Sequence, residues 1–106
     1  MWEVYKHTLQ MVEGDFGLAL PFEVTGTTIT ASDTLRFIFK DKLNGTTILT
    51  KEYSDIQHNT AEITFTEEES ALFRVGDYVY SLDWYQDGLF MGNLIKCAAF
   101  KVVEKA

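Results

Sequence analysis

The chain holds a single cysteine, Cys97, and a single proline, Pro21, in 106 residues. One thiol cannot make an intrachain disulfide framework, so nothing here requires an oxidising compartment. Basic residues are few: 9 Lys and Arg against 16 Asp and Glu leave a net charge of −7. Nucleic-acid binding neutralises phosphates with clustered cations, so no nucleic-acid partner is expected. The same acidity disfavours anionic membrane surfaces and reads as a solubility feature. No apolar run approaches the roughly 20 residues of a membrane-spanning helix, and no membrane partner is expected. The opening MWEVYKHTLQ lacks the basic region followed by an apolar one that marks a Sec signal peptide. Synthesis and folding in the cytoplasm are expected.

Histidine is scarce too. His7 and His58 are far apart, and neither has a Cys, a second His or a carboxylate at metal-ligand spacing. His58 lies in the polar run Gln57-His58-Asn59 and reads as a solvated loop residue. The glycines stand singly at turns, so there is no glycine-rich phosphate loop. Helical periodicity is missing over any long segment, as are repeats and low-complexity tracts.

What is present is apolar: 46% of the residues, with 14% aromatic. That is enough to bury a core and to exclude disorder, and the length is that of one domain spanning residues 1–106. Short alternating segments separated by turn residues at roughly 8–12 spacing predict an all-β sandwich. His7 to Val12 reads as a strand ended by Glu13-Gly14-Asp15. Phe16, Leu18, Leu20 and Phe22 alternate with Gly17, Ala19, Pro21 and Glu23, and Pro21 places that end at a sheet edge or outside it. A polar loop, 24–33, precedes Leu35, Phe37 and Phe39, which alternate with Arg36, Ile38 and Lys40. Asn44-Gly45 predicts a turn, with Thr47 to Ser54 returning from it. Ala61, Ile63 and Phe65 then oppose Glu62 and Thr64. Thr66 and Glu69 have capping-box spacing, which predicts a helical turn over Glu67 to Leu72 that bridges two sheets.

The longest alternating strand carries Tyr78, Tyr80, Leu82 and Trp84 on one face and Val79, Ser81, Asp83 and Tyr85 on the other. Asp87-Gly88 closes it into a hairpin. A two-residue turn pairs Trp84 with Met91, Tyr80 with Ile95, Tyr78 with Cys97, Tyr85 with Phe90 and Asp83 with Gly92. Beyond Cys97 the apolar parity changes, because Phe100 and Val102 are even. One bulge between Lys96 and Ala99 is expected to repair it. The expected core draws on Leu18, Leu20, Leu35, Phe37, Phe39, Ile63, Phe65, Tyr78, Tyr80, Leu82 and Trp84.

No catalytic residue, metal ligand or cofactor-binding residue emerges. Cys97, in an apolar strand, reads as a buried structural thiol. Asp77 reads as strand-entry chemistry, Asp87 as a turn residue and Asp83 as an outward-facing strand residue. No histidine lies within sequence reach of Ser81 and Asp83, so a hydrolytic triad is not expected. Glu67-Glu68-Glu69 lacks the spaced Asp and Asn and the mid-loop glycine of a calcium loop, and reads as a charged helix start. Tyr85 and Phe90, paired at the hairpin tip on the face opposite Trp84, form the candidate interaction patch. Exposed aromatics at Trp2, Trp84, Tyr85 or Phe90 would alternatively stack on sugar rings, making the chain a carbohydrate-binding module.

In order along the chain, His7-Thr8-Leu9-Gln10-Met11-Val12-Glu13-Gly14-Asp15, Asp33-Thr34-Leu35-Arg36-Phe37-Ile38-Phe39-Lys40, Ala61-Glu62-Ile63-Thr64-Phe65-Thr66-Glu67-Glu68-Glu69 and Gly76-Asp77-Tyr78-Val79-Tyr80-Ser81-Leu82-Asp83-Trp84 are followed by the Asp87-Gly88 hairpin. This series resembles the N-terminal β-sandwich domain of phage baseplate upper proteins and of small prophage structural proteins of gut Firmicutes. The resemblance implies an immunoglobulin-like antiparallel β-sandwich of about seven or eight strands with one short helical turn. It implies no catalytic residues and no cofactor. The partners it implies are other phage tail or baseplate proteins or further copies of the chain, within a virion. Baseplate upper proteins carry long segments after this domain, with no counterpart before Ala106; a structural part, rather than host attachment, is the role expected.

Overall fold

Alternation of buried and half-buried side chains along Asp33–Asp41 makes that segment the centre of the structure, a computed structural model describing residues 2–5, 8–15, 20–24, 29–42, 45–54, 56 and 59–104. In chain order the elements are β1 (Trp2–Tyr5), β2 (Thr8–Val12), β3 (Leu20–Glu23), β4 (Asp33–Asp41), β5 (Thr47–Tyr53), β6 (Thr60–Ile63), α1 (Glu67–Ser70), β7 (Gly76–Gln86) and β8 (Leu89–Val103). Six strands form one curled sheet in the order β1-β2-β8-β7-β4-β5, and β3 pairs with β6 in a second, small sheet. The fold is all-β and sandwich-like, as the alternation predicted. The large sheet is mixed because β2 joins β8 in parallel, Leu9 opposite Phe100 and Val12 opposite Val103. β1, which pairs antiparallel with β2, had no clear signal of its own in the sequence. Pro21 is exposed on β3, opposite Glu62, and a strand of a two-stranded sheet always has an open edge where its missing N–H is harmless. His7, Phe16, Leu18, Asn44 and His58 lie outside the described residues.

The two sheets close over an aromatic core. Phe39 is wholly buried, with Phe65, Phe73 and Phe100 meeting it edge-on at centroid distances of 5.4, 5.8 and 5.2 Å. Phe22 carries the small sheet onto β4 and β5 through Phe37 at 5.0 Å and Tyr53 at 6.2 Å. Of the core residues expected, Leu35, Phe37, Phe39, Ile63, Phe65, Tyr80 and Leu82 are buried, and Leu20, Tyr78 and Trp84 pack against them half-buried. Leu9, Met11, Val24, Ile29, Ile56, Phe73, Phe100 and Val102 complete the buried set.

The helical turn is two residues shorter than expected, but its cap is the one the sequence encodes. Thr66 Oγ1 accepts from Glu69 N–H at 3.2 Å, and the Glu69 carboxylate accepts from Thr66 N–H at 2.9 Å. The same carboxylate accepts from Lys51 Nζ at 2.8 Å, tying α1 to β5. Burial pushes the Glu69 pKa up, yet the hydrogen bonds from Lys51 and Thr66 and the Lys51 charge outweigh it and leave it lowered. The short helix therefore bridges the small sheet, through β6, to β7 of the large one. Among the described residues no helix is long and apolar enough to cross a membrane.

The last hairpin departs most from expectation. Asp87 and Gly88 sit at φ 50 and 81, the left-handed pair of a type I′ turn, in which Gly carries no steric cost. Gln86 pairs with Leu89 and Tyr85 with Phe90, as a two-residue loop requires. The register then shifts three times, at Trp84/Tyr85, Leu82/Asp83 and Tyr80/Leu82. Trp84 faces Gly92 rather than Met91, Asp83 faces Asn93 rather than Gly92, Tyr80 faces Ala98 rather than Ile95, and Tyr78 faces Phe100 rather than Cys97. The last shift is the bulge expected between Lys96 and Ala99, and two more precede it. Each inserts an extra residue in β8, bending the strand and turning one side chain out of the alternation.

Cys97 is one consequence. It was expected to be buried and is exposed, because the bulge places Lys96 and Cys97 outside the ladder between Leu82–Ile95 and Tyr80–Ala98 and brings Phe100 and Val102 inward in their stead. The native protein is expected to release one equivalent of thionitrobenzoate from Ellman's reagent without denaturant; reaction only in urea would contradict this placement.

Candidate functional site

Five large apolar side chains are markedly exposed among the described residues, and three of them are consecutive: Leu89 at 71%, Phe90 at 56% and Met91 at 48%. Simple alternation would turn the middle residue away from its neighbours. The shift directly after Tyr85–Phe90 instead leaves Met91 without a ladder partner, and all three project from the end of the hairpin. Singly exposed apolar residues are ordinary, whereas three in succession at a loop tip make this the candidate interaction patch.

Phe90 leans on Tyr85, the rings 5.6 Å apart and inclined at 66°. Tyr85 is half-buried and is held in turn from β4. The Arg36 guanidinium lies 4.4 Å from the centre of its ring, and Arg36 Nη1 donates to the Tyr85 hydroxyl at 3.0 Å. Arg36 Nε and Nη2 reach Glu52 Oε1 at 2.9 and 2.8 Å. The register explains the spacing: Arg36 stands directly opposite Glu52, while Thr34 stands opposite Tyr85, so Arg36 meets Tyr85 across the diagonal. The sequence brings Tyr85 and Phe90 together through the turn, as expected. It gave no sign that Arg36 and Glu52 belong with them, since charges on an outward strand face read as solubility residues.

On the opposite side of β7, Trp84 is half-buried and its indole Nε1 donates to Asp33 Oδ2 at 3.1 Å. Asp33 is fully buried and also accepts from Thr30 N–H at 3.1 Å and Thr30 Oγ1 at 3.2 Å. Burial raises the Asp33 pKa, but hydrogen bonds from Thr30, Trp84 and Gln86 together overcome this and hold it below its ordinary value. Asp33 is thus a structural carboxylate joining the loop before β4 to β7. Trp84 turns its polar edge inward, and the Tyr85 and Phe90 rings are steeply inclined rather than coplanar, so these residues do not make a flat sugar-stacking platform. Trp2 lies in β1, the outer strand of the large sheet.

The remaining polar candidates lie apart. Asp83, expected to face outward into solvent, is buried at 8% exposure, with Asn93 Nδ2 donating to it. Its strand position does face outward, but the register sets Arg36 on one side of it and Asn93 on the other, and these cover it. Asp77 is exposed near the start of β7, and Asp87 is in the turn. Burial pushes Tyr80 up to about 12, outside the range useful for proton transfer near neutrality. Among the described residues no three His, Cys, Asp or Glu side chains converge as a metal would require.

These features define an all-β, sandwich-like domain whose outward specialisation is an apolar hairpin tip backed by an ordered Arg–Tyr pair. Comparison with protein-family models, curated proteins and solved structures finds no match for this chain.

Proposed function

We propose that the chain is a non-enzymatic structural protein of a phage or prophage tail or baseplate, acting in the virion by protein–protein contact. The hairpin tip is the contact surface, and the partner is another tail or baseplate subunit or a further copy of the chain. The observation that carries this reading is the exposed run Leu89-Phe90-Met91 beside Tyr85. Aromatic, Met and Arg side chains are the types enriched where proteins meet, and central aromatics supply most of the binding energy. The order of the four motifs and the Asp87-Gly88 hairpin supplies the phage assignment.

The test is recovery of tail particles from an induced host that carries the gene. The chain is expected in the particle fraction at a fixed ratio to the other tail proteins. Phe90→Asp, a substitution at a largely exposed ring, is expected to fold and to stay in the unassembled fraction. Particles that lack the chain, or that incorporate Phe90→Asp as well as the native chain, would contradict the reading.

A further inference from the structure

Strand β8 has two sides, and β7 lies along one of them from Leu89 to Val102. On the other side β2 pairs only with Phe100 to Val103, so among the described residues no strand pairs with Leu89 to Ala99 there. The division coincides with the bulges. From Ala98 to Val102 the ladder to β7 keeps one register, and β2 docks on that end of the strand. Between Leu89 and Ala98 the register shifts three times, and no more than two successive residues keep one register.

An added strand needs backbone N–H and C=O groups at an unbroken period of two residues. Each extra residue in β8 breaks that period on its free side as well as against β7. The composition makes the obstruction consequential. From Leu89 to Phe100, LFMGNLIKCAAF, Lys96 is the only charged residue. Short apolar windows of this kind on an open edge recruit like strands, and bulges and edge lysines are the devices that stop them. Lys96 is exposed and stands at the third shift, beside the exposed Cys97.

We infer that the three bulges and Lys96 together keep the free edge of β8, Leu89 to Ala99, from adding a strand of a second copy of this chain. The protection lies in the backbone edge and holds whatever the side chains at the hairpin tip contact.

The test follows amide hydrogen exchange of the full chain at low and high protein concentration, with reductant present so that Cys97 cannot cross-link copies. The native chain is compared with Lys96→Thr, with Lys96→Glu, and with Lys96→Thr from which Cys97 is also deleted, which restores one register from Ile95 to Val102. In the native chain, the amides of Leu94 to Ala98 that point away from β7 are expected to exchange equally fast at every concentration. Lys96→Thr loses the charge and gains a β-branched residue, and it is expected to slow those amides at high concentration only. With Cys97 deleted as well, the slowing is expected to reach at least about tenfold. Lys96→Glu, which keeps a charge at the edge, is expected to exchange as the native chain does. Near-UV circular dichroism reports whether each variant keeps its packing; if the deletion does not, Lys96→Thr at its exposed position decides alone. The inference is overturned if the native amides slow with concentration, because the edge then already takes a strand. It is equally overturned if folded Lys96→Thr exchanges as the native chain does, or if Lys96→Glu slows as much as Lys96→Thr.

Discussion

Phe39→Ala is expected to destabilise the protein by about 3–5 kcal/mol, the cost of removing a buried phenyl ring from a core that collapses only partly around the gap. The site makes the upper end of that range appropriate. Phe39 is at 0% exposure, and rings from β4, β7 and β8, from the segment after β6 and from the segment after α1 surround it: Phe37, Tyr80, Phe100, Phe65 and Phe73. Those neighbours belong to both sides of the sandwich and to the bridge between them, so no single segment can move in to fill the space. Edge-to-face contacts each add about 0.5–1.5 kcal/mol beyond area burial, and several are lost together. Against a typical stability of about 5–15 kcal/mol, the variant should sit near the limit of folding. Urea unfolding followed by tyrosine and tryptophan fluorescence measures this, and Phe39→Leu, which keeps much of the volume, should lose distinctly less. An alanine variant within about 1 kcal/mol of the native chain would mean that the ring cluster is not a continuous core.

The second large effect is expected at Asp33. Asp33→Ala removes the buried carboxylate that accepts from the Trp84 indole N–H, the Thr30 N–H and the Thr30 hydroxyl, at a cost of about 3 kcal/mol, because hydrogen bonds to a charged acceptor contribute about 1.5–3 kcal/mol. Asp33→Asn keeps one acceptor oxygen and should cost about 1 kcal/mol. The pH dependence follows from the direction of the shift. The folded pKa of Asp33 lies below its ordinary value of 3.8, so in acid the unfolded chain binds the proton first and protonation favours unfolding. The stabilisation from Asp33 is complete above pH 3.8 and is lost as the pH falls through the lowered folded value. Glu69, lowered from 4.5, acts in the same direction, so acid instability should set in below that pH. Between about pH 4 and 2 the Asp33→Asn chain should lose stability less steeply than the native protein. Equal slopes would show that Asp33 titrates as it does in the unfolded chain.

Much of the architecture is legible in the residues because it is local. The alternation of Leu35, Phe37 and Phe39 is a property of one strand, and it names the buried face without knowledge of what covers it. The Thr66–Glu69 cap closes within four residues and holds wherever the rest of the chain goes. Asp87-Gly88 determines its own turn type and hence the Tyr85–Phe90 pair, which is the visible half of the candidate site.

The other half is not local. Where β8 inserts extra residues depends on matching two long strands that must curl together, and only the parity break before Phe100 hints at it. That curl exposes Cys97 and Met91 and sets Asn93 against Asp83. The parallel junction of β2 with β8 joins segments about 90 residues apart, a pairing the residues do not encode in any short pattern. Arg36 and Glu52 look like ordinary surface charges until β4 is set between β5 and β7, and Asp33 looks like a loop residue until Trp84 is brought above it. The sequence by itself therefore determined the all-β class, the faces of the strands, the cap and the turn, each decided by neighbours along the chain. The tertiary structure alone decided the register of the last hairpin, the burial of two aspartates and the assembly of the Arg36–Tyr85–Phe90 line, because those depend on contacts between strands that the chain's own spacing does not constrain.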